Sequence, residues 1–367
     1  MKKTSTQSLN GISIALIYDL PAKLIRTAEH PFHPDAEAEW ETLETIERIA
    51  ETWSLLGCRV QKFPLDPFFL SAWAKNHASF DLVHSVVEGW GTPSREAWIP
   101  ALCELSGTPY IGSDPFAQCV AMRKHSFKIL CRSFGIPTPE GRLVKTESDL
   151  EQLPKFLLEQ PHFIKPDCEG SGMGIDGKAS IGKSPDSSKA LCRELLVQFP
   201  DGVLIEELLE GRELTSGFIG AHPITFLPIA EIEVPDGVYG LANKSKEVME
   251  EKVSFPKLSE ACEQRINHSM QMMQKQFGFN DFVRFDWKLN TQGEPMLLEA
   301  NPLAGLSYYY SVLPKMAEAA GLSYTQFLER LALSALQRKN DRRFWYGQAR
   351  LRSRPELYPN TEAHQTP

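Results

Sequence analysis

The chain has 367 residues, 42% hydrophobic and 23% charged, with a net charge of −8. That length holds two or three domains with real cores, and the acidic balance argues against nucleic acid as a main partner. Seven cysteines, at 58, 103, 119, 131, 168, 192 and 262, form no CxxC pair, and no stretch could span a bilayer, so a reducing, cytoplasmic setting with no membrane partner is expected.

The run ISIALIYDLP reads as a buried strand ended by proline. Between Asp35 and Gly57, residues Trp40, Leu43, Ile46, Ile49, Trp53 and Leu56 recur at helical spacing, and Gly57 stands where a C-cap belongs. CRVQKFPL is a second strand. DLVHSVVE is a third, followed by EGWGTPSREAWIPALCELSG. Strand, helix, strand, helix, strand predicts a parallel sheet with crossover helices over residues 1–113. A helix is expected from Pro115 to about Phe134, then a rigid linker, GIPTP. HFIKPDCEGSGMGI reads as strand, Gly-rich loop, strand. GVLIEELLEGRELTSGFIG reads as a strand pair around a turn, completing an α+β unit over 114–214. Residues 215–338 carry further strands, a long loop (233–256), the helix SEACEQRINHSMQMMQKQFG, a hairpin and a closing helix. Residues 339–367 form a basic and polar tail with five arginines before Pro355.

The hairpin is the most informative stretch. FVRFDWKL and EPMLLEA are antiparallel strands around Thr291-Gln292-Gly293. Side chains on a strand alternate faces, so Glu299 and Asn301 point the same way, and a facing Asp286 completes a set of hard oxygen ligands suited to Mg²⁺. Arg284, two residues before Asp286, shares that face and suits a developing anion. The plainer readings are a solvated strand face and a simple ion pair of Arg284 with Asp286 or Glu299. Lys165, inside an apolar strand, needs an anionic partner.

VVEGWGTPSREAWIPALCELSGTPYIGSDP, AMRKHSFKILCRSFGIPTP, FIKPDCEGSGMGI, VLIEELLEGREL, VRFDWKL and LLEANPLAG stand in the order and spacing of the D-alanine–D-alanine ligases. The sequence resembles that ATP-grasp family, in its broader ligase-like branch, over about residues 11–336. The resemblance implies an ATP-grasp fold of α/β and α+β units, with an N-terminal parallel-sheet (pre-ATP-grasp) unit and ATP held between two antiparallel sheets. It implies an ATP- and Mg²⁺-dependent carboxylate–amine ligase, with Mn²⁺ as the alternative ion, that forms a dipeptide-like amide through an acyl phosphate. Its partners would be small-molecule carboxylate and amine substrates of the amino-acid type, and a homodimer is allowed. Residue by residue, Lys124 and Lys165 match phosphate-binding lysines, and Ser171 lies in the loop EGSGMG that covers the phosphates. Glu206, Glu207 and Leu209 match the adenine segment, Glu213 the ribose-binding acid, and Lys244, loosely, a loop lysine. Asp286, Glu299 and Asn301 match the Mg²⁺ ligands; Arg284 and Gly305 match groups around the transferring oxygens.

Three departures concern the substrates. The family's Glu-His pair after the first strand has no counterpart in place, since Glu29-His30 lies too far along. The segment after the metal ligands is LAGLSYYYSVLP, with Ala304 for a proline, Ser307 for a threonine, and Tyr310 or Ser311 where a serine grips the second substrate. The loop pattern around Lys244 lacks its tyrosine. D-alanine–D-alanine ligation therefore stands beside three alternatives: a ligase of special metabolism joining other amino-acid-like substrates, a non-catalytic ATP-binding relative, and an ATP-dependent phosphotransferase that stops at the phosphorylated product.

Overall fold

A computed structural model describes residues 9–19, 39–154, 160–175, 177–221, 223–233 and 252–338. Lys244, Glu29-His30, most of the 233–256 loop and the 339–367 tail lie outside them.

The first unit is a parallel sheet in the order β2-β1-β3, from β1 (Ser13–Tyr18), β2 (Arg59–Pro64) and β3 (Leu82–Val86). Ile14 to Ile17 are buried because both faces of β1 are covered, which is why the run is apolar throughout rather than alternating. Helix α1 (Leu43–Leu55) starts later than the 35–57 periodicity implies. Thr42 caps it by accepting from Thr45 N at 3.1 Å. Trp40 therefore precedes the helix, its indole donating to Gly89 O at 3.1 Å, and Leu43 points outward at 53% exposure. At the other end Gly57 takes φ +82°, the left-handed turn that a helix stop requires. Helices α2 (Phe69–Asn76) and α3 (Trp98–Ser106) complete the layer.

The expected single helix over 115–134 is two: α4 (Pro115–Met122) and α5 (Lys124–Ser133), broken at Arg123 with φ −92° and ψ 83°. The cause is tertiary. Asp167, beyond the end of a distant strand, accepts from Lys124 N (3.2 Å) and His125 N (2.7 Å) and so caps α5 at its start. Phe127 and Cys131 of α5 sit in one apolar cluster with Phe277, Phe279 and Phe285.

The two antiparallel sheets follow. The smaller runs β4-β7-β5-β6, from β4 (Gly141–Val144), β5 (His162–Pro166), β6 (Ile181–Gly182) and β7 (Val203–Glu207). Helix α6 (Glu147–Glu151) sits between β4 and β5, and α7 (Pro185–Gln198) covers the sheet through Cys192 and Leu195. The larger runs β11-β10-β8-β12-β13, with β9 (Thr225–Phe226) beside β8 (Glu213–Ile219). Its other strands are β10 (Ala230–Glu233), β11 (Lys252–Ser254), β12 (Phe282–Leu289) and β13 (Pro295–Asn301). The pair read from GVLIEELLEGRELTSGFIG is not a pair: β7 and β8 join different sheets, and the turn between them carries the chain from one to the other. Residue 214 lies inside β8.

Helix α8 (Glu260–Phe277) backs the larger sheet. Helix α9 (Val312–Ala319) packs on α10 (Tyr324–Gln337), with its Leu313 and Met316 beside Gly217 of β8, and α10 packs on α1, where Phe327 and Leu331 share a cluster with Ile49 and Trp53. All seven cysteines are free thiols. Among the described residues no helix is long and apolar enough to cross a membrane.

Candidate active site

A cleft of about 260 Å³ opens where the two antiparallel sheets and the first unit meet. Its floor on one side is the β12–β13 hairpin. The register pairs Arg284 with Asn301 and Asp286 with Glu299, so four polar side chains share a face over a sheet whose other face buries Phe285 and Trp287. Asp286 is fully engaged. Arg284 donates to it from Nη2 (2.9 Å) and Nε (3.1 Å), Thr215 from its hydroxyl (2.9 Å) and Asn301 from Nδ2 (2.9 Å). The ion pair weighed for Arg284 is thus present. Glu299 faces Lys124, 3.3 Å away. Burial pushes the Glu299 carboxyl up, but Lys124, Lys165 and Arg284 outweigh it and hold it at about 2. Glu299 in turn raises Lys124 against its burial.

Across the cleft, Lys165 finds the anionic partner its apolar strand demands: Glu206 Oε1 at 2.9 Å. The other oxygen of Glu206 accepts from Lys128, and all three side chains are nearly inaccessible. Burial would raise Glu206; the two ammonium groups lower it. Burial lowers Lys128 to about 8 despite that carboxylate, with Lys165 adding repulsion. Glu207, Leu209 and Glu213 line the same end, and burial raises Glu213 against the pull of Lys288 at 3.6 Å. Ser171, on the loop covering this space, holds φ 52°, a left-handed conformation unusual for a residue with a side chain.

The third wall is the 303–312 segment. Glu41, just before α1, accepts from Leu306 N (3.0 Å) and from the Tyr310 hydroxyl (2.6 Å). Burial and Glu41 push that phenol up to about 12. Gly305 packs so tightly that a Cβ there would stand 2.7 Å from Ser311 Oγ. Tyr310 and Ser311 line the cleft. Ser307 does not: it is wholly buried, accepting from Thr45 Oγ1 at 2.9 Å, and serves the wall rather than its surface. Tyr308 and Tyr309 are about half exposed, and Tyr308 meets Tyr324 edge-on and lies under Arg48, so one tyrosine of the three reaches the cleft.

Every described residue singled out from sequence except Ser307 lines this one cleft. Residues missed include Lys128, Thr215 and Glu41, with Glu88 and Glu96 of the first unit. Lys128 stands one helical turn after Lys124, a readable signal. Thr215 and Glu41 are brought in by sheet register and by helix docking, which leave no local mark. Oxygen donors on Asp286, Glu299 and Asn301 suit a hard divalent cation. Among the described residues no three His, Cys, Asp or Glu side chains converge, so phosphate oxygens would have to complete such a shell.

The model of the D-alanine–D-alanine ligase C-terminus matches residues 130–332. The D-alanine–D-alanine ligase of Aromatoleum aromaticum is 31% identical over 246 residues, 67% of this chain and 76% of that protein. That of Acidovorax ebreus is 30% identical over 247 residues, 67% and 72%. Among solved structures, the Bacillus anthracis D-alanine–D-alanine ligase complexed with ATP superposes with a TM-score of 0.71 at 19% identity, covering 90% of this chain and 99% of that one. The VanG D-Ala:D-Ser ligase of Enterococcus faecalis gives 0.67 at 19%, covering 89% and 100%. At that identity the likeness is one of fold, the ATP-grasp fold.

Proposed function

The chain belongs to the D-alanine–D-alanine ligase family, and on that premise we propose how its cleft joins two amino-acid-like substrates. It is an ATP-dependent ligase forming a C–N bond. In our reading the functional units are residues 1–113, 114–214 and 215–338, with the nucleotide between the second and third. Glu206, Glu207, Leu209 and Glu213 receive the nucleoside. Lys124, Lys165 and the Ser171 loop receive the phosphates, where compact ammonium groups and close backbone N–H donors suit oxygen anions. Asp286, Glu299 and Asn301 would hold Mg²⁺, whose contribution when bound is to neutralise phosphate charge.

In the first step a substrate carboxylate oxygen attacks the γ-phosphorus, the bond to the ADP oxygen breaks, and an acyl phosphate forms. In the second an amine nitrogen attacks the acyl carbon, the carbon–oxygen bond to phosphate breaks, and the nitrogen loses a proton. Arg284 stands where charge builds on the transferring and tetrahedral oxygens, and Asp286 fixes its fork. Gly305, Tyr310 and Ser311 face the acceptor.

One observation supports this most: Lys124, Arg284, Glu299 and Asp286 face Lys165 and Glu206 across one cleft, a paired set of charges that phosphate and a divalent cation could exchange into. The test is ADP and phosphate release over a matrix of D- and L-amino acids, with product mass read out. A ligase needs both a carboxylate and an amine for sustained turnover. Turnover with one substrate alone would mark a phosphotransferase, and none at all a binding protein.

A further inference from the structure

We infer that the wall of the cleft built by the first unit is a cation subsite, formed by Glu88 and Glu96 above Asp19, and that it selects an amino-acid substrate with a positively charged side chain. The inference deepens the ligase reading and rests on it for the nature of the substrate.

The location follows from topology. From central β1 the chain passes to β2 on one side, then across to β3 on the other. The crevice between the carboxyl ends of β1 and β3 is therefore a topological switch point, where open α/β sheets bind ligands. Asp19 immediately follows β1, and Glu88 comes two residues after β3. Asp19 is 4% exposed. Its Oδ2 accepts from Glu88 N (2.7 Å) and Gly89 N (3.2 Å), while its buried Oδ1 has no partner among the described residues. An acceptor left so is costly unless something else supplies a donor.

Glu88 and Glu96 line the cleft half-buried, and neither side chain makes a hydrogen bond or ion pair with a described residue. The neighbouring cation is already committed: Arg95 Nη2 contacts Glu39 (2.8 Å) and Glu169 (3.0 Å), and Nη1 donates to Cys168 O (3.1 Å). Burial, then mutual repulsion, raises Glu88 well above the ordinary range. Burial lifts Glu96 to about 8. Trp40, pinned on Gly89, adds an aromatic ring to the same wall, a further preference for a cation. No three of these carboxylates converge as metal ligands would, so an organic cation fits better than a metal ion. A lone α-ammonium would match one carboxylate and leave the others uncompensated. An amino acid with a second cationic group matches more of them.

The test is calorimetric binding of lysine, ornithine, arginine and norleucine, in both hands, to the full chain with Mg²⁺ and a non-hydrolysable ATP analogue. The proteins are wild type, Glu88→Gln, Glu96→Gln and the double variant, whose glutamines keep side-chain volume. We expect one or more basic amino acids to bind wild type at least about 10-fold tighter than norleucine, and the preference to fall below about 3-fold in the double variant. Norleucine binding as tightly as the basic amino acids, or a preference surviving both substitutions, overturns the inference. Phosphate release with the tightest binder and an amine is read separately. A charge preference without release would sustain the subsite and sink the ligase.

Discussion

Replacing Glu206 by glutamine tests whether one carboxylate holds the nucleotide end of the cleft together. Both of its oxygens are in use, one 2.9 Å from Lys165 and the other accepting from Lys128, with side-chain exposures of 2%, 7% and 2% for Glu206, Lys165 and Lys128. Glutamine keeps the volume and removes the charge, leaving two ammonium groups that water barely reaches. Removing one partner of a buried pair costs about 3–5 kcal/mol. Part of that cost titrates. Lys128 is already lowered to about 8, by burial first and by Lys165 as well. A lysine whose folded pKa lies below its unfolded value makes the unfolded chain the better proton binder between the two, so stability rises as pH climbs from about 8 toward 10. Losing Glu206 lowers Lys128 further, and a drop of one unit, to a midpoint near pH 7, adds about 1 kcal/mol of penalty at pH 7 and almost none at pH 9.5. Urea denaturation of both proteins should show E206Q weaker by about 3–5 kcal/mol at pH 7, narrowing by about 1 kcal/mol at pH 9.5. A deficit under about 1 kcal/mol at pH 7, or one that does not narrow, would refute the reasoning.

Three further outcomes are expected. Asp286→Asn, Glu299→Gln and Asn301→Ala should each cut turnover far more than stability and raise the Mg²⁺ requirement; wild-type turnover in any of them at sub-millimolar Mg²⁺ sinks the metal assignment. Arg284→Lys keeps the charge but loses the two-point grip on Asp286, so kcat should fall about 10²-fold; if only the KM for ATP rises, the arginine binds rather than stabilises. Tyr310→Phe removes the hydroxyl that reaches Glu41 at 2.6 Å, and should change which amine is accepted while the ATP-induced melting shift stays intact. An unaltered acceptor profile would show that the hydroxyl only braces the wall.

What could be read in advance follows how local each signal was. The parallel sheet was legible because each strand is a short apolar run beside a helical repeat, and the hairpin because its register follows from alternation and a two-strand turn. The split of α4 from α5 was not, since its cause, Asp167, lies about 40 residues away and caps α5 only after the smaller sheet has docked. The pairing expected between β7 and β8 failed for a related reason. Proximity in sequence favours pairing, but the apolar face of β7 packs with Ile164 and Cys192, and that of β8 with Phe285, so the turn became a crossing between sheets.

The site divides the same way, and the division bears on specificity. The residues read from motifs, Lys124, Lys165, Arg284, Asp286 and Glu299, gather at the end of the cleft where charges are paired within one or two elements. Those not read, Glu41, Glu88 and Glu96, come from the first unit and gain meaning only when it closes over the sheets. The paired end can exchange its internal ion pairs for phosphate oxygens and a cation, so it suits one invariant cosubstrate. The unit opposite presents Glu88 and Glu96 without an ion pair among the described residues, whereas its Glu39 is held by Arg95 at 2.8 Å and its Glu41 by Leu306 N and the Tyr310 hydroxyl. A carboxylate drawn toward Lys124 and Arg284 and a cation drawn toward Glu88 and Glu96 would align one molecule along the cleft, with its acyl carbon at the transferring end. On this reading the charge preference for one substrate lies with the first unit and the choice of amine with the 303–312 segment, while the nucleotide chemistry lies with the two sheets, where the family motifs are strongest.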